Sequence, residues 1–332
     1  MNMNDTVKNL IESADNIVVI QAENPDGDSI GSALALEEVL GDMGKNVSLH
    51  CPVDIPKYLR YIKGWDRISQ DFDTKADLAI IVDTASKVLL GKVLDIPVVQ
   101  NFLENNPVIV IDHHISVEAD LPFNFQPVIG DSIATAVEVY KVCKKYDWKI
   151  NSSTASNLFV AIQSDTLGLT TENVSAEDFR ICGDLIDLGA DAAQIEASRR
   201  ELMKKAPEIL EYKGRLLERV EYHLDGKLAL IHIPWEEIEK YSDKYNPTML
   251  VLDEMRLVVG VQLAIGIKTY PDKKLTGKLR SNIPISDQIA GFFGGGGHAY
   301  ASGFRIYEKY DVFLPELIQA VDKALKENNA SS

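Results

Sequence analysis

At 332 residues, with 45% hydrophobic and 25% charged positions, the chain has a globular composition and a length that suits two domains better than one. A formal net charge of -16 speaks against a protein that coats long duplex nucleic acid, because that affinity comes largely from many Lys/Arg–phosphate contacts. The first twenty residues lack the basic head and apolar core of a signal peptide, and no run approaches the ~20 apolar residues of a membrane span, so a soluble, cytoplasmic protein without a membrane partner is expected.

Taken in chain order, residues 17–20 form a short β-rich apolar run. It leads into the loop Asn24-Pro25-Asp26-Gly27-Asp28 and then into a helical pattern from Ser29 towards Met43. A second strand is expected at 47–50. Residues 79–82 and 108–111 are continuous β-branched runs, the pattern of strands buried on both faces. Helical periodicity follows at 133–145 and 154–163. Alternating strands and helices predict an α/β fold with a doubly wound, mainly parallel sheet over residues 1–190. Residues 191–224 read as a charged helical linker. A smaller α/β domain is expected over 225–328, with strands at 228–233, 257–267 and 278–281, a glycine run, a final helix over 313–326 and a frayed tail at 328–332.

Three of these strands end on ionisable residues. Ile20 leads into the Asp26/Asp28 loop, Val82 into Asp83, and Ile111 into Asp112-His113-His114. In open α/β sheets ligands collect beyond the carboxyl ends of the strands, so this grouping reads as a site. Alone, Asp26 and Asp28 suit a turn or a helix cap equally well. Asp83 at the end of an apolar strand is different, because a buried carboxylate is costly unless paired or bound to a metal. Asp165 closes a helical stretch and adds a fourth carboxylate. Hard divalent cations prefer carboxylate oxygens and imidazole shifts the preference towards Mn²⁺, so a two-metal phosphoryl-transfer centre is a coherent reading.

Late in the chain, Gly294-Gly295-Gly296-Gly297-His298 is too glycine-rich for an ordinary turn, and consecutive free amides there would make an anion-binding nest. Arg280, in Lys278-Leu279-Arg280-Ser281, is suited to gripping a phosphate with two hydrogen bonds. Cys51, Cys143 and Cys182 have no CxxC spacing and read as small buried hydrophobes. His50, His223, His232, Trp65, Trp148 and Trp235 read as structural.

These motifs, in this order, resemble the DHH/DHHA1 phosphoesterase family across residues 17–304. The length resembles its compact branch of nanoRNase/oligoribonuclease proteins that also dephosphorylate 3'-phosphoadenosine 5'-phosphate. The resemblance implies an N-terminal DHH domain and a C-terminal DHHA1 domain, a phosphoesterase of short oligoribonucleotides, and hydrolysis by a hydroxide activated between two divalent ions, Mn²⁺ first and Mg²⁺ second. It implies Asp26, Asp28, Asp83, His113 and Asp165 as metal ligands, with Asp83 bridging. It places His114 beside the scissile phosphate, with Asp112 orienting the histidines. Arg280, Ser281, the four glycines and His298 would hold the substrate, a short RNA or a nucleotide bisphosphate, and a homodimer is compatible with it.

One position departs from the family pattern. Where the family carries a metal-ligating His before Asn-Pro-Asp, this chain has Ala22. Water, Glu23 or Gln21 could substitute, although neighbouring strand side chains point to opposite faces. Alternatively catalysis is impaired and nucleotide binding survives. A third reading is a cyclic or linear dinucleotide phosphodiesterase.

Overall fold

The computed structural model describes residues 3–115, 119–243 and 245–331. They divide into two compact units, Met1–Lys204 and Lys205–Ser332. Among the described residues no helix is long and apolar enough to cross a membrane.

The first unit holds six strands: β1 (Asn16–Ile20), β2 (Asn46–His50), β3 (Ile68–Ser69), β4 (Leu78–Val82), β5 (Val108–Asp112) and β6 (Gln126–Ile129). They pair in the order β3-β2-β1-β4-β5-β6, every pair parallel. β4 and β5 are buried at every residue, because both faces of the sheet are covered. Ile17 and Val19 face a core shared with the helices Gly27–Asp42, Thr135–Tyr146 and Ser152–Asp165, whereas Val18 and Ile20 pack with Val99, Phe102 and Leu103 of the helix Pro97–Asn105. This is the expected doubly wound sheet. Its order reverses at β1, with β2 on one side and β4 on the other, which opens a crevice beyond their carboxyl ends.

Two glycines set how closely the central helices approach. A Cβ on Gly31 would lie 2.5 Å from the Asn157 carbonyl oxygen and 2.7 Å from the Ala161 Cβ; one on Gly27 would lie 2.2 Å from Ser164 Oγ. The helix Gly27–Asp42 therefore packs backbone-close on Ser152–Asp165, and this brings the last residue of the second helix, Asp165, to the start of the first.

The second unit holds β7 (Glu221–His223), β8 (Leu228–Ile233), β9 (Leu263–Thr269), β10 (Lys274–Ser281), β11 (Gly296–His298) and β12 (Ala301–Tyr307), in the order β11-β12-β10-β9-β8-β7. Here only β8 and β9 run parallel. One face carries Leu275, Leu279 and Phe304 into a core with Phe313, Leu317 and Val321 of the C-terminal helix.

Three local expectations change. The first central helix starts at Gly27, with Asp26 as its cap. The strand expected over 257–267 begins at Leu263, because the left-handed turn at Gly260 (φ 88°) interrupts the apolar run before pairing starts. The final helix spans Tyr310–Ser331, so residues 328–331 continue it instead of fraying; no glycine or proline after Pro315 stops it. Ser332 lies outside the described residues. Between the units' sheets the chain is helical over Ala192–Leu202 and Pro207–Leu217.

Candidate metal centre and cationic cavity

The strand-end residues of the first unit converge. His113 Nε2 lies 4.0 Å from Asp28 Oδ2, 3.7 Å from Asp83 Oδ1 and 3.6 Å from Asp165 Oδ2. Two groups have the proximity a metal ion needs: Asp28, His113 and Asp165, and Asp83, His113 and His114. The members come from four separate segments, with His113 and His114 together just beyond β5, which is why the site exists only in the folded chain.

Asp28 is fully buried in the first turn of its helix. Its Oδ2 accepts from the Thr135 N–H at 2.6 Å, and its Oδ1 from the Ala136 N–H at 3.0 Å and from Ser32 Oγ at 3.2 Å. One carboxylate thus caps the helix Thr135–Tyr146 while facing His113. Asp83 follows β4 with φ 65°, a left-handed conformation rare outside glycine, and accepts from Thr135 Oγ1 at 2.9 Å. Asp112, at the end of β5, accepts from the amides of His113 (2.8 Å) and His114 (3.2 Å) and pairs with His114 Nδ1 at 2.7 Å.

The electrostatics are those of crowded anions. Burial, then the charges of Asp165 and Asp26, push the Asp28 carboxyl up to about 6. Burial, then Asp28 and Asp26, raise Asp83 well above its ordinary value, and burial raises Asp165. Asp112 behaves oppositely: burial works to raise it, but the bonds from His114 and the two amides outweigh that and hold it low. The same Asp112 bond raises His114. Repelling carboxylates around one imidazole nitrogen are the donor set a divalent cation would relieve. His113 suits that set, since its Nδ1 lies 3.0 Å from the Ser132 carbonyl. That bond directs the proton to Nδ1 and leaves Nε2 as a lone-pair donor towards the carboxylates.

Asp26 does not join either group. It is exposed, and its Oδ1 caps the helix Gly27–Asp42 by accepting from the amides of Asp28 (2.9 Å) and Ser29 (3.0 Å). Its charge nonetheless reaches Asp28, Asp83 and Asp165. Ala22 is buried two residues beyond β1. Glu23, a candidate substitute for the family histidine, is engaged elsewhere: its Oε2 accepts from the Lys92 N–H at 3.0 Å, in the first turn of the helix Gly91–Leu94. Gln21 is fully buried and belongs to neither group.

The second unit carries a cavity of about 870 Å³ on the sheet face opposite Phe313, Leu317 and Val321, lined by Arg280, Gly294, Gly295, Gly296 and Gly297 among others. The glycines do not form a free nest. Gly294 (φ 71°) is the left-handed stop of the helix Ser286–Phe292. Its amide donates to the Gly291 carbonyl at 3.0 Å, and that of Gly295 to Ala290 at 2.8 Å. Gly296 and Gly297 belong to β11, paired with Gly303 and Ser302 of β12. A Cβ on Gly297 would meet the Ala301 carbonyl oxygen at 2.7 Å, so close strand approach accounts for the glycine. Ser281 is buried, its hydroxyl donating to the Ala299 carbonyl and accepting from Ser286 Oγ, which leaves it outside the cavity lining. His298 ends β11; its side chain lies outside the described residues.

Several contributors were not singled out from sequence: Thr135 and Ser132, which position Asp28, Asp83 and His113, and Lys268, Lys278 and Arg305, which line the cavity. The cations sit on alternating strand positions, a signal that becomes readable only once the strand register is known.

Residues 16–162 match the DHH family, N-terminal domain. Over 306 residues the chain is 21% identical to the bifunctional oligoribonuclease and PAP phosphatase NrnA of Bacillus subtilis, covering 91% of this chain and 94% of that protein. It is 27% identical over 285 residues to the protein of the same name from Thermus thermophilus, covering 84% and 81%. Among solved structures, an exopolyphosphatase-related protein from Bacteroides fragilis aligns with a TM-score of 0.82 at 23% identity, covering 98% of this chain and 96% of that one. RecJ from Thermus thermophilus in complex with Mn²⁺ aligns with a TM-score of 0.54 at 14% identity, covering 98% and 54%. At these identities the structural likeness establishes the fold alone.

Proposed function

We propose, for a chain that belongs to the DHH family through residues 16–162, the function of a phosphoesterase that hydrolyses short oligoribonucleotides and 3'-phosphoadenosine 5'-phosphate with two divalent ions, Mn²⁺ foremost. The observation that carries this reading is the convergence of Asp28, Asp83 and Asp165 within 4.0 Å of His113 Nε2. Divalent ions bound there would activate a water and neutralise charge developing on phosphorus.

The protein's own residues supply the rest. Thr135, through its amide and hydroxyl, holds the Asp28 and Asp83 carboxylates in place before any ligand arrives. Ser132 fixes the tautomer of His113. His114 is paired through Nδ1 with Asp112, which favours its cationic form and leaves Nε2 to counter the charge of a phosphate. Arg280 would hold the part of the substrate that does not react. Incubation with Mn²⁺ and labelled di- to pentaribonucleotides, and separately with 3'-phosphoadenosine 5'-phosphate, tests the assignment. Release of mononucleotides or phosphate is expected, and a yield no greater than that of Asp83→Ala would count against it.

A second reading, a nucleotide-binding protein with impaired catalysis, rests on Ala22 together with the engagement of Glu23 by Lys92. It predicts nucleotide binding without turnover and a gain of activity on Ala22→His.

A further inference from the structure

The cavity face of the second unit carries four cations without an ion-pair partner among the described residues. In register, Thr276 of β10 is paired with Lys268 of β9 on one side and Arg305 of β12 on the other. Directly opposed residues share a sheet face, and so do residues two apart, so Lys268, Lys278, Arg280 and Arg305 all project from the same side. With strands ~4.8 Å apart and ~6.8 Å between alternate residues, their stems emerge from a patch roughly 10 Å by 14 Å. Among the described residues none of the four has a carboxylate within ion-pair distance. Lys278 is flanked by Gly266 and Gly303, and Arg280 by Ala264 and Ala301, so the centre of the patch is a trough between small residues.

Lys268 is the telling member. It is only 9% exposed, lines the cavity and has no acid partner among the described residues. A buried ammonium without a counter-ion is costly, and the fold gains nothing structural in return. Burial and the neighbouring Lys278 charge accordingly push it down to about 8, and burial together with Arg280 lowers Lys278. A single phosphodiester charge is a poor match for four crowded cations. A phosphomonoester carries close to two negative charges at neutral pH and three acceptor oxygens.

We infer that Lys268, Lys278 and Arg305, beside Arg280, form a subsite for a terminal phosphomonoester, which makes the protein selective for short nucleotides bearing an end phosphate over those with hydroxyl ends. This deepens the proposed phosphoesterase reading and rests on it for the nucleotide nature of the ligand. Lys268 and Arg305 determine specificity and take no part in bond breaking.

The test is calorimetric binding to the full-length protein in EDTA, which separates recognition from hydrolysis. Three dinucleotides of one sequence are compared: 5'-phosphorylated, 3'-phosphorylated and hydroxyl at both ends. One phosphorylated form is expected to bind about tenfold tighter or more than the hydroxyl form, as charge-assisted bonds to a dianion imply. In Lys268→Met and in Arg305→Met that ratio falls towards one, while Lys268→Arg, which keeps the charge, retains it; melting curves confirm that each variant is folded. Equal affinity for all three, no measurable binding of any, or an undiminished ratio in both methionine variants overturns the subsite. Hydrolysis with Mn²⁺ is scored separately: turnover without end-phosphate selectivity sinks this inference alone, and selectivity without turnover sinks the catalytic reading alone.

Discussion

The Thr135 backbone N–H lies 2.6 Å from Asp28 Oδ2, joining the start of one helix to the first turn of another 107 residues away in sequence. The same carboxylate faces His113, so a structural cap and a candidate metal ligand are one group.

Asp28→Ala should therefore destabilise the protein even when no metal is present. It strips the Thr135 and Ala136 amides of their acceptor in a buried setting, and each buried donor left unpaired costs about 1–3 kcal/mol. Relief of repulsion from Asp165 and Asp26 offsets part of this, so a net loss of roughly 2–4 kcal/mol is expected. Urea unfolding in EDTA measures it. An unchanged midpoint would mean that the cap contributes nothing.

Divalent ions should stabilise the first unit, because they offset the mutual repulsion of Asp28, Asp83 and Asp165 around His113. At a hundredfold excess over Kd the gain is about 2.7 kcal/mol, or roughly 5–10 °C in melting temperature for a domain of this size. Thermal melts with Mn²⁺, Mg²⁺ and EDTA compare the ions. His113→Ala, which removes the imidazole common to both groups, should abolish the shift; a full shift in that variant would place the metal elsewhere.

The elements legible in the sequence were those whose local pattern is set by burial. Residues 79–82 and 108–111 are apolar throughout because β4 and β5 are covered on both faces, and the first polar residues beyond them, Asp83 and Asp112, mark where those strands leave the core. The contacts of Thr135 and Ser132 were not legible, since nothing near them in sequence signals partners 19, 52 and 107 residues away. Lys268 and Arg305 carry no motif in the sequence, and only pairing with Thr276 puts them on one face. The glycine run lines the cavity as expected of a binding element but not as a free nest, because a helix stop and a tight strand pair require the same residue as an anion nest.

Ala22→His should strengthen metal binding. Ala22 is buried next to the Asn24–Asp28 loop, and Glu23 is committed to the Lys92 amide. Outer partners of metal ligands are already worth about 10–100-fold in affinity, so an added imidazole should tighten Mn²⁺ binding by about tenfold or more and raise hydrolysis at limiting Mn²⁺. Glu23→Gln should leave metal affinity unchanged, because Glu23 caps a helix. Mn²⁺ titrations of both variants decide; weaker Mn²⁺ binding after Glu23→Gln would restore it as a ligand.

The Lys268 ammonium gives the second unit a pH dependence with two opposite signs. Its folded-state pKa is pushed down to about 8 from an ordinary 10.5, first by burial and then by Lys278. The charged form is the one that binds an anion, so affinity for an end-phosphorylated dinucleotide should be highest between about pH 6, below which the phosphate loses its second charge, and about pH 8, and decline as the pH rises through 8. Stability moves the other way. A lysine with a depressed folded pKa contributes stability that is present above the unfolded value and is lost as the pH falls through about 8, where the buried amine takes up its proton. At pH 7 the charged side chain is thus a burden, and Lys268→Met should raise the unfolding free energy by an amount on the order of 2 kcal/mol while weakening phosphate binding. The stability gain should shrink as the pH approaches 10. Unfolding curves at pH 7 and 9.5, with binding measured across the same range, test both signs; a Lys268→Met protein no more stable than the parent at pH 7 would show that the ammonium is already solvated or paired.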